Sequence, residues 1–240
     1  MVDFKKPENK NQLIDFKEDT LESIEKYLDE VLNEDQKRCA GITYWLNNYN
    51  NYLKFEKRFN PNRLPVYKYG SVIDVNLGFN IGDEFGGKHY CVVLNKHDNK
   101  KNQLLTVIPL SSMKSSMTKS KLNKSEVYLG SSLYEILLTK TRTEINLYRK
   151  ILVSEEEFLK ISLDDREKLE QNIKRSEKRL NKIEKLKPGS YARCSQITTI
   201  SKMRIFDPKN LNDALIDIQL PKDNMKDISE KIQKLYLEKI

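Results

Sequence analysis

Residues 82–110 read GDEFGGKHYCVVLNKHDNKKNQLLTVIPL. Two short apolar runs, YCVVL and LLTVIPL, flank the polar segment NKHDNKKNQ, whose Asp-Asn chemistry suits a turn. Each run is too short to be a buried helix and is apolar throughout, which predicts two strands paired as an antiparallel hairpin near the centre of a small sheet. The glycine pair before Lys88 marks a sharp turn or a close backbone approach at the strand's mouth, and it brings one of only two histidines, His89, to that edge.

Working outward, SVIDVNLG alternates through Ile73, Val75 and Leu77 and reads as a strand, as do EVYLG and SYARCSQI. On the N-terminal side, DTLESIEKYLDEVL places Leu21, Ile24, Leu28, Val31 and Leu32 at helical spacing. A second helix is expected from Glu34 to Phe59, with Ile42, Trp45, Leu46, Tyr49 and Leu53 on one face and Pro61 and Pro65 beyond its end. Residues 131–187 turn helical again. Ser154 with Glu157 and Ser162 with Asp165 have capping-box form, and Leu169, Ile173, Leu180 and Ile183 make a thin stripe suited to one neighbouring helix. A last amphipathic helix is expected over 223–239. The organisation expected is therefore a helical N-terminal extension (1–65), a β core (66–130 and 188–240) and a helical insertion within it (131–187).

Composition narrows the function classes. Net charge is +8, and 38% hydrophobic residues are enough for a core. The charge is unevenly spread: residues 1–35 carry five lysines against eleven acids, which leaves a strongly basic remainder suited to an anionic partner. The three cysteines are far apart, with no CxxC and no Cys/His cluster, so neither a disulfide framework nor a zinc site is indicated. No apolar stretch has the length of a membrane span, and no apolar leader precedes the first helix. A cytoplasmic protein without cofactor or membrane partner is expected.

The succession GSVIDVNLG, GDEFGGKHYCVVLNK, LLTVIPLSS and SYARCSQITTISKMRI, closed by an amphipathic helix, resembles the PemK/MazF family of endoribonuclease toxins over about residues 66–129 and 188–240. The resemblance implies an α+β fold built on an SH3-like β-barrel, dimeric in many members, with the helical extension, the insertion and the C-terminal helix placed around it. It also implies a toxin that cleaves single-stranded RNA without metal and is restrained by an antitoxin. The family's loop glutamate falls on Glu84, its catalytic threonine on Ser111, and its Gln-Ile-x-Thr-Ile block on Gln196, Ile197, Thr199 and Ile200. Where the family has its catalytic arginine, this chain has His89, one residue after Lys88.

That exchange keeps the chemistry workable. RNA cleavage of this kind needs a base for the 2′-OH proton, an acid for the leaving oxygen and donors around the phosphorus. Imidazole, with an ordinary pKa of about 6.5, serves the proton transfers. Lys88, Arg193 or Arg204 then supplies the permanent charge, Ser111 donates to a phosphate oxygen, and Glu84 orients the imidazole or carries a second proton. Phe85 and Tyr90 are the nearest aromatic candidates for base stacking. Lys114, in the polar loop after Ser111, is a candidate backbone contact. The competing reading is an inactive barrel of the same shape that binds nucleic acid or a protein. His97, in the hairpin turn, reads as a surface residue.

Overall fold

The computed structural model describes residues 2–113, 118–154, 162–184 and 189–237, the side chain of Lys182 excepted. It divides the chain into two compact units, Met1–Phe59 and Asn60–Ile240.

The first unit is a helical hairpin of α1 (Lys10–Glu34) and α2 (Gln36–Phe55). The first helix begins well upstream of the stretch its strongest periodicity marks, because Leu13 and Ile14 continue the apolar stripe. A single extended residue, Asp35, separates the helices. Its carboxylate accepts the Arg38 N–H at 2.9 Å and so caps α2. Cys39 then sits buried one turn into α2, its thiol donating to the Leu28 carbonyl.

The second unit is α+β. Its strands are β1 (Val72–Asn76), β2 (Lys88–Val93), β3 (Leu104–Ser112), β4 (Glu126–Gly130), β5 (Ser190–Arg193), β6 (Thr198–Ser201) and β7 (Ile205–Asp207). They form one antiparallel sheet in the order β4-β5-β3-β2-β1-β7, with β6 also on β3, and the sheet does not close. The expected β2–β3 hairpin is present, with Val92 opposite Ile108. Both faces are buried, so the central strands read as continuous apolar runs and successive residues serve opposite cores. Val72, Val92, Ile108 and Leu110 face a core shared with the helices, while Ile73, Cys91, Val93 and Val107 face a second core that includes Tyr67.

Among the described residues, three helices complete this unit. The insertion contributes α3 (Ser132–Val153) and α4 (Leu163–Glu184), and α5 (Lys222–Tyr236) closes the chain. Ser162 caps α4 as expected, its Oγ accepting the Asp165 N–H at 3.2 Å, but the Asp165 carboxylate accepts the Ser162 hydroxyl at 2.7 Å in place of the backbone N–H of a full capping box. Ser154 instead ends α3, and its expected partner Glu157 lies outside the described residues. The ion pairs Arg142–Glu184, Arg149–Glu177 and Arg179–Glu144 tie α3 to α4. The first two are exposed enough to contribute about 1 kcal/mol at most. Ile183, Leu133 and Leu137 supply the buried side of the pair.

SYARCSQI, which reads as one strand, is strand only over Ser190–Arg193, and a further short strand follows at Thr198–Ser201. Ser190–Ala192 pair with Ser112–Leu110, and Thr198–Ser201 pair with Val107–Leu104, along the same side of β3. Five residues, 193–197, run between those anchors where β3 uses two, 108 and 109. The surplus makes a 3-10 turn, Cys194–Gln196, projecting from the sheet.

Candidate active site

Strand register brings the candidate side chains together. The β2–β3 ladder runs Val93↔Val107, Val92↔Ile108, Cys91↔Pro109. Continued by two residues, it sets His89 opposite Ser111, which is itself paired with Tyr191 on β5. Residues directly opposite each other share a face. Pro109 has no N–H to extend the ladder, and past it the two strands line a cleft of about 570 Å³. Phe85, His89, Ser111, Tyr191 and Arg193 belong to its wall, and Lys88, Tyr90 and Asp74 also border it.

Arg193 organises this cleft. Its Nε donates to Ser111 Oγ at 2.9 Å, one terminal nitrogen donates to the Tyr191 hydroxyl at 2.9 Å, and the other lies 3.4 Å from the Glu126 carboxylate. The guanidinium also lies over the Phe85 ring, 4.6 Å from its centroid. A planar fork held on three sides has its position fixed before any ligand arrives, and a lysine has no equivalent geometry. Arg193 thus places a permanent positive charge beside the serine from β5.

His89 is half-buried, its ring 4.4 Å from that of Phe85. Burial, and then the Arg193 charge, push its pKa below the usual imidazole value, while Asp74 and a backbone hydrogen bond at Gly86 pull the other way. The net effect favours the neutral ring at physiological pH, the form that accepts a proton. Asp74 is held 3.0 Å from the Lys88 ammonium, and burial raises its carboxyl above the ordinary range. Lys88 also lies over the Phe206 ring.

The glycine pair closes the loop that carries Glu84 and Phe85. The Gly87 N–H donates to the Gly78 carbonyl, and the Leu77 N–H donates back to Gly87. Gly87 has φ +88°, and a Cβ on Gly86 would meet the Gly78 oxygen at 2.6 Å. Gln196, from the projecting turn, clamps the same loop: its Oε1 accepts the Phe85 N–H and its Nε2 donates to the Asp83 carbonyl, both at 3.2 Å. Phe85 is thereby fixed as a partition. On its other side lies a second hollow of about 330 Å³, bordered by Asn80, Glu84, Gln196 and Arg204, with Leu77 and Ile200 also lining it.

The candidates therefore fall into two groups. His89, Ser111, Lys88, Phe85 and Tyr90 border the larger cleft; Glu84, Gln196 and Arg204 border the smaller hollow, with Phe85 common to both. Glu84 is exposed in that second hollow and does not share the cleft of His89. Tyr90, next to His89 in the strand, turns to the opposite face and packs against the helix-covered core, where burial raises its phenol pKa. Thr199 belongs to neither hollow; its hydroxyl is 3.4 Å from that of Thr106. Arg204 donates to the Asn76 carbonyl at 2.7 Å. Lys114 lies outside the described residues.

Two candidate residues gain weight from the fold. The sequence offers Arg193 only as one of three sources of charge and does not single out Tyr191. The available signal was their i, i+2 spacing in SYAR, which puts both on one face of a strand. No family model matches this chain, and a search of curated proteins returns no match.

Proposed function

We propose that this protein is an endoribonuclease of the PemK/MazF kind, cleaving single-stranded RNA without a metal ion and restrained by an antitoxin, its sheet an opened variant of the SH3-like barrel. The observation that carries the reading is the convergence of His89, Ser111 and Arg193 on one cleft, with the Arg193–Ser111 hydrogen bond at 2.9 Å. A base, a hydroxyl donor and a fixed cation are the groups needed for attack of a 2′-oxygen on its own phosphodiester.

In this mechanism neutral His89 takes the 2′-OH proton. The 2′-oxygen bonds to phosphorus, the P–O5′ bond breaks, and a 2′,3′-cyclic phosphate and a 5′-hydroxyl result. Water in the open cleft protonates the departing 5′-oxygen, and the imidazolium returns its proton to solvent. Arg193 and Ser111 stabilise the charge that builds on the phosphoryl oxygens. Phe85, fixed by Gln196 and Asn80, offers a ring for a nucleobase beside the reacting phosphate.

The test is incubation of the purified protein with a labelled single-stranded RNA in EDTA, beside His89→Ala and Arg193→Gln. Cutting that survives EDTA and falls by about 100-fold or more in each variant is expected, from the usual cost of removing one transition-state donor. RNA binding without cleavage in the parent protein overturns the enzyme and leaves a binding module.

A further inference from the structure

The α1–α2 hairpin leaves an apolar surface that its own two helices do not cover. Within these helices only Val31 and Cys39 are buried. Ile14, Leu21 and Ile24 recur on the same stripe of α1 as Val31, and Tyr49 and Leu53 on the same stripe of α2 as Cys39. Their exposures nevertheless run from 38% to 59%. The unit Met1–Phe59 holds about a quarter of the chain but half of the large apolar side chains exposed among the described residues. Two helices with so small a buried seam fall short of a core, and the common remedy is a second pair.

Charge says which partner fits. α1 carries three lysines and eight acids, whereas α2 carries Lys37, Arg38 and Lys54 and no acid. The unit is therefore self-complementary. A two-fold axis that lays α1 of one copy beside α2 of the other sets acid against base along both new seams, and one that laid α1 on α1 would set like charges together. We propose that this hairpin is a self-association surface: two copies of the chain join through the exposed stripes of α1 and α2 in an antiparallel four-helix bundle.

The experiment is sedimentation equilibrium of the full chain between about 1 and about 100 µM, since the assembly follows mass action, beside the double variant Leu21→Glu/Leu53→Glu. A mass rising to twice that of the chain is expected. The variant should dimerise at least about 100-fold more weakly, the scale of loss at a buried interface centre, while far-UV helicity holds. A parent protein monomeric throughout overturns the proposal, and so does a variant that dimerises as well as the parent. Hydrogen exchange of the unmodified protein needs no variant. Amides of residues 10–55 should gain protection with concentration while those of β1–β3 do not, and protection of the hairpin independent of concentration also overturns it.

Discussion

Replacing Lys202 by methionine should remove a large share of the second unit's stability. The ammonium is completely buried with the Asp98 carboxylate and has all three protons placed: on the two Asp98 oxygens at 2.7 and 2.9 Å and on the Asn99 carbonyl at 3.1 Å. Asp98 also accepts the Tyr67 N–H at 3.0 Å, and the Lys202 backbone N–H donates to Gln103. Without the ammonium, a sealed carboxylate keeps a single hydrogen bond of these. Breaking one side of a buried pair costs about 3–5 kcal/mol. Removing both charges is far milder, so Lys202→Met/Asp98→Asn, which keeps an acceptor for Tyr67, should recover more than half of the loss. Urea denaturation read by protection of the β1–β3 amides isolates this unit from the hairpin. At about 2–4 °C per kcal/mol for a unit of this size, the single variant should melt roughly 6–20 °C lower. A loss under about 1 kcal/mol, or a double variant no better than the single, refutes the argument that the charge is held by these three bonds.

Three further outcomes are expected. With only two histidines, NMR titration assigned through His97→Gln should show His89 titrating below the usual imidazole value, and Arg193→Gln should move it upward. The stability that depends on neutral His89 is complete above about 6.5 and is lost as pH falls through the lowered folded value; cleavage should fail along the same acid limb. Gly86→Ala drives a methyl into the Gly78 carbonyl; it should cost about 1–3 kcal/mol and reduce RNA binding, checked by melting and by anisotropy of a labelled oligonucleotide. Phe85→Ala should weaken single-strand binding by about 1–3 kcal/mol, the usual value of a base–aromatic stack, and should also lower the melting temperature, because the ring packs against the second core.

How much of this could be read in the residues depends on the range of the interaction. The β2–β3 hairpin was legible because apolar runs and turn chemistry lie next to each other, and the Ser162–Asp165 cap because its partners are three residues apart. The two-sided burial of the sheet also shows in the unbroken apolar runs. The tie between Lys202 and Asp98 does not, because it joins residues 104 apart that look like ordinary surface charges. The role of Arg193 was hidden for a related reason: its partners Ser111, Phe85 and Glu126 lie on other strands and loops, and only the pairing of β3, β4 and β5 brings them within reach. Glu84 lies in the loop before β2, but the partition made by Phe85 separates it from His89, and no local pattern announces a partition.

The interrupted strand has a consequence for how this protein can vary. Because Ser190–Ala192 and Thr198–Ser201 are each fastened to β3 independently, the length of the turn between them is not set by their alignment on β3, although Arg193 is tied to Glu126 on β4 and Cys194 is buried in the core. A codon gained or lost next to Gln196 would shift its clamp on the Phe85 loop while β5 and β6 kept their places on β3. The architecture thus gives lineages a spot where the hollow beside Phe85 can change shape while the sheet stays aligned.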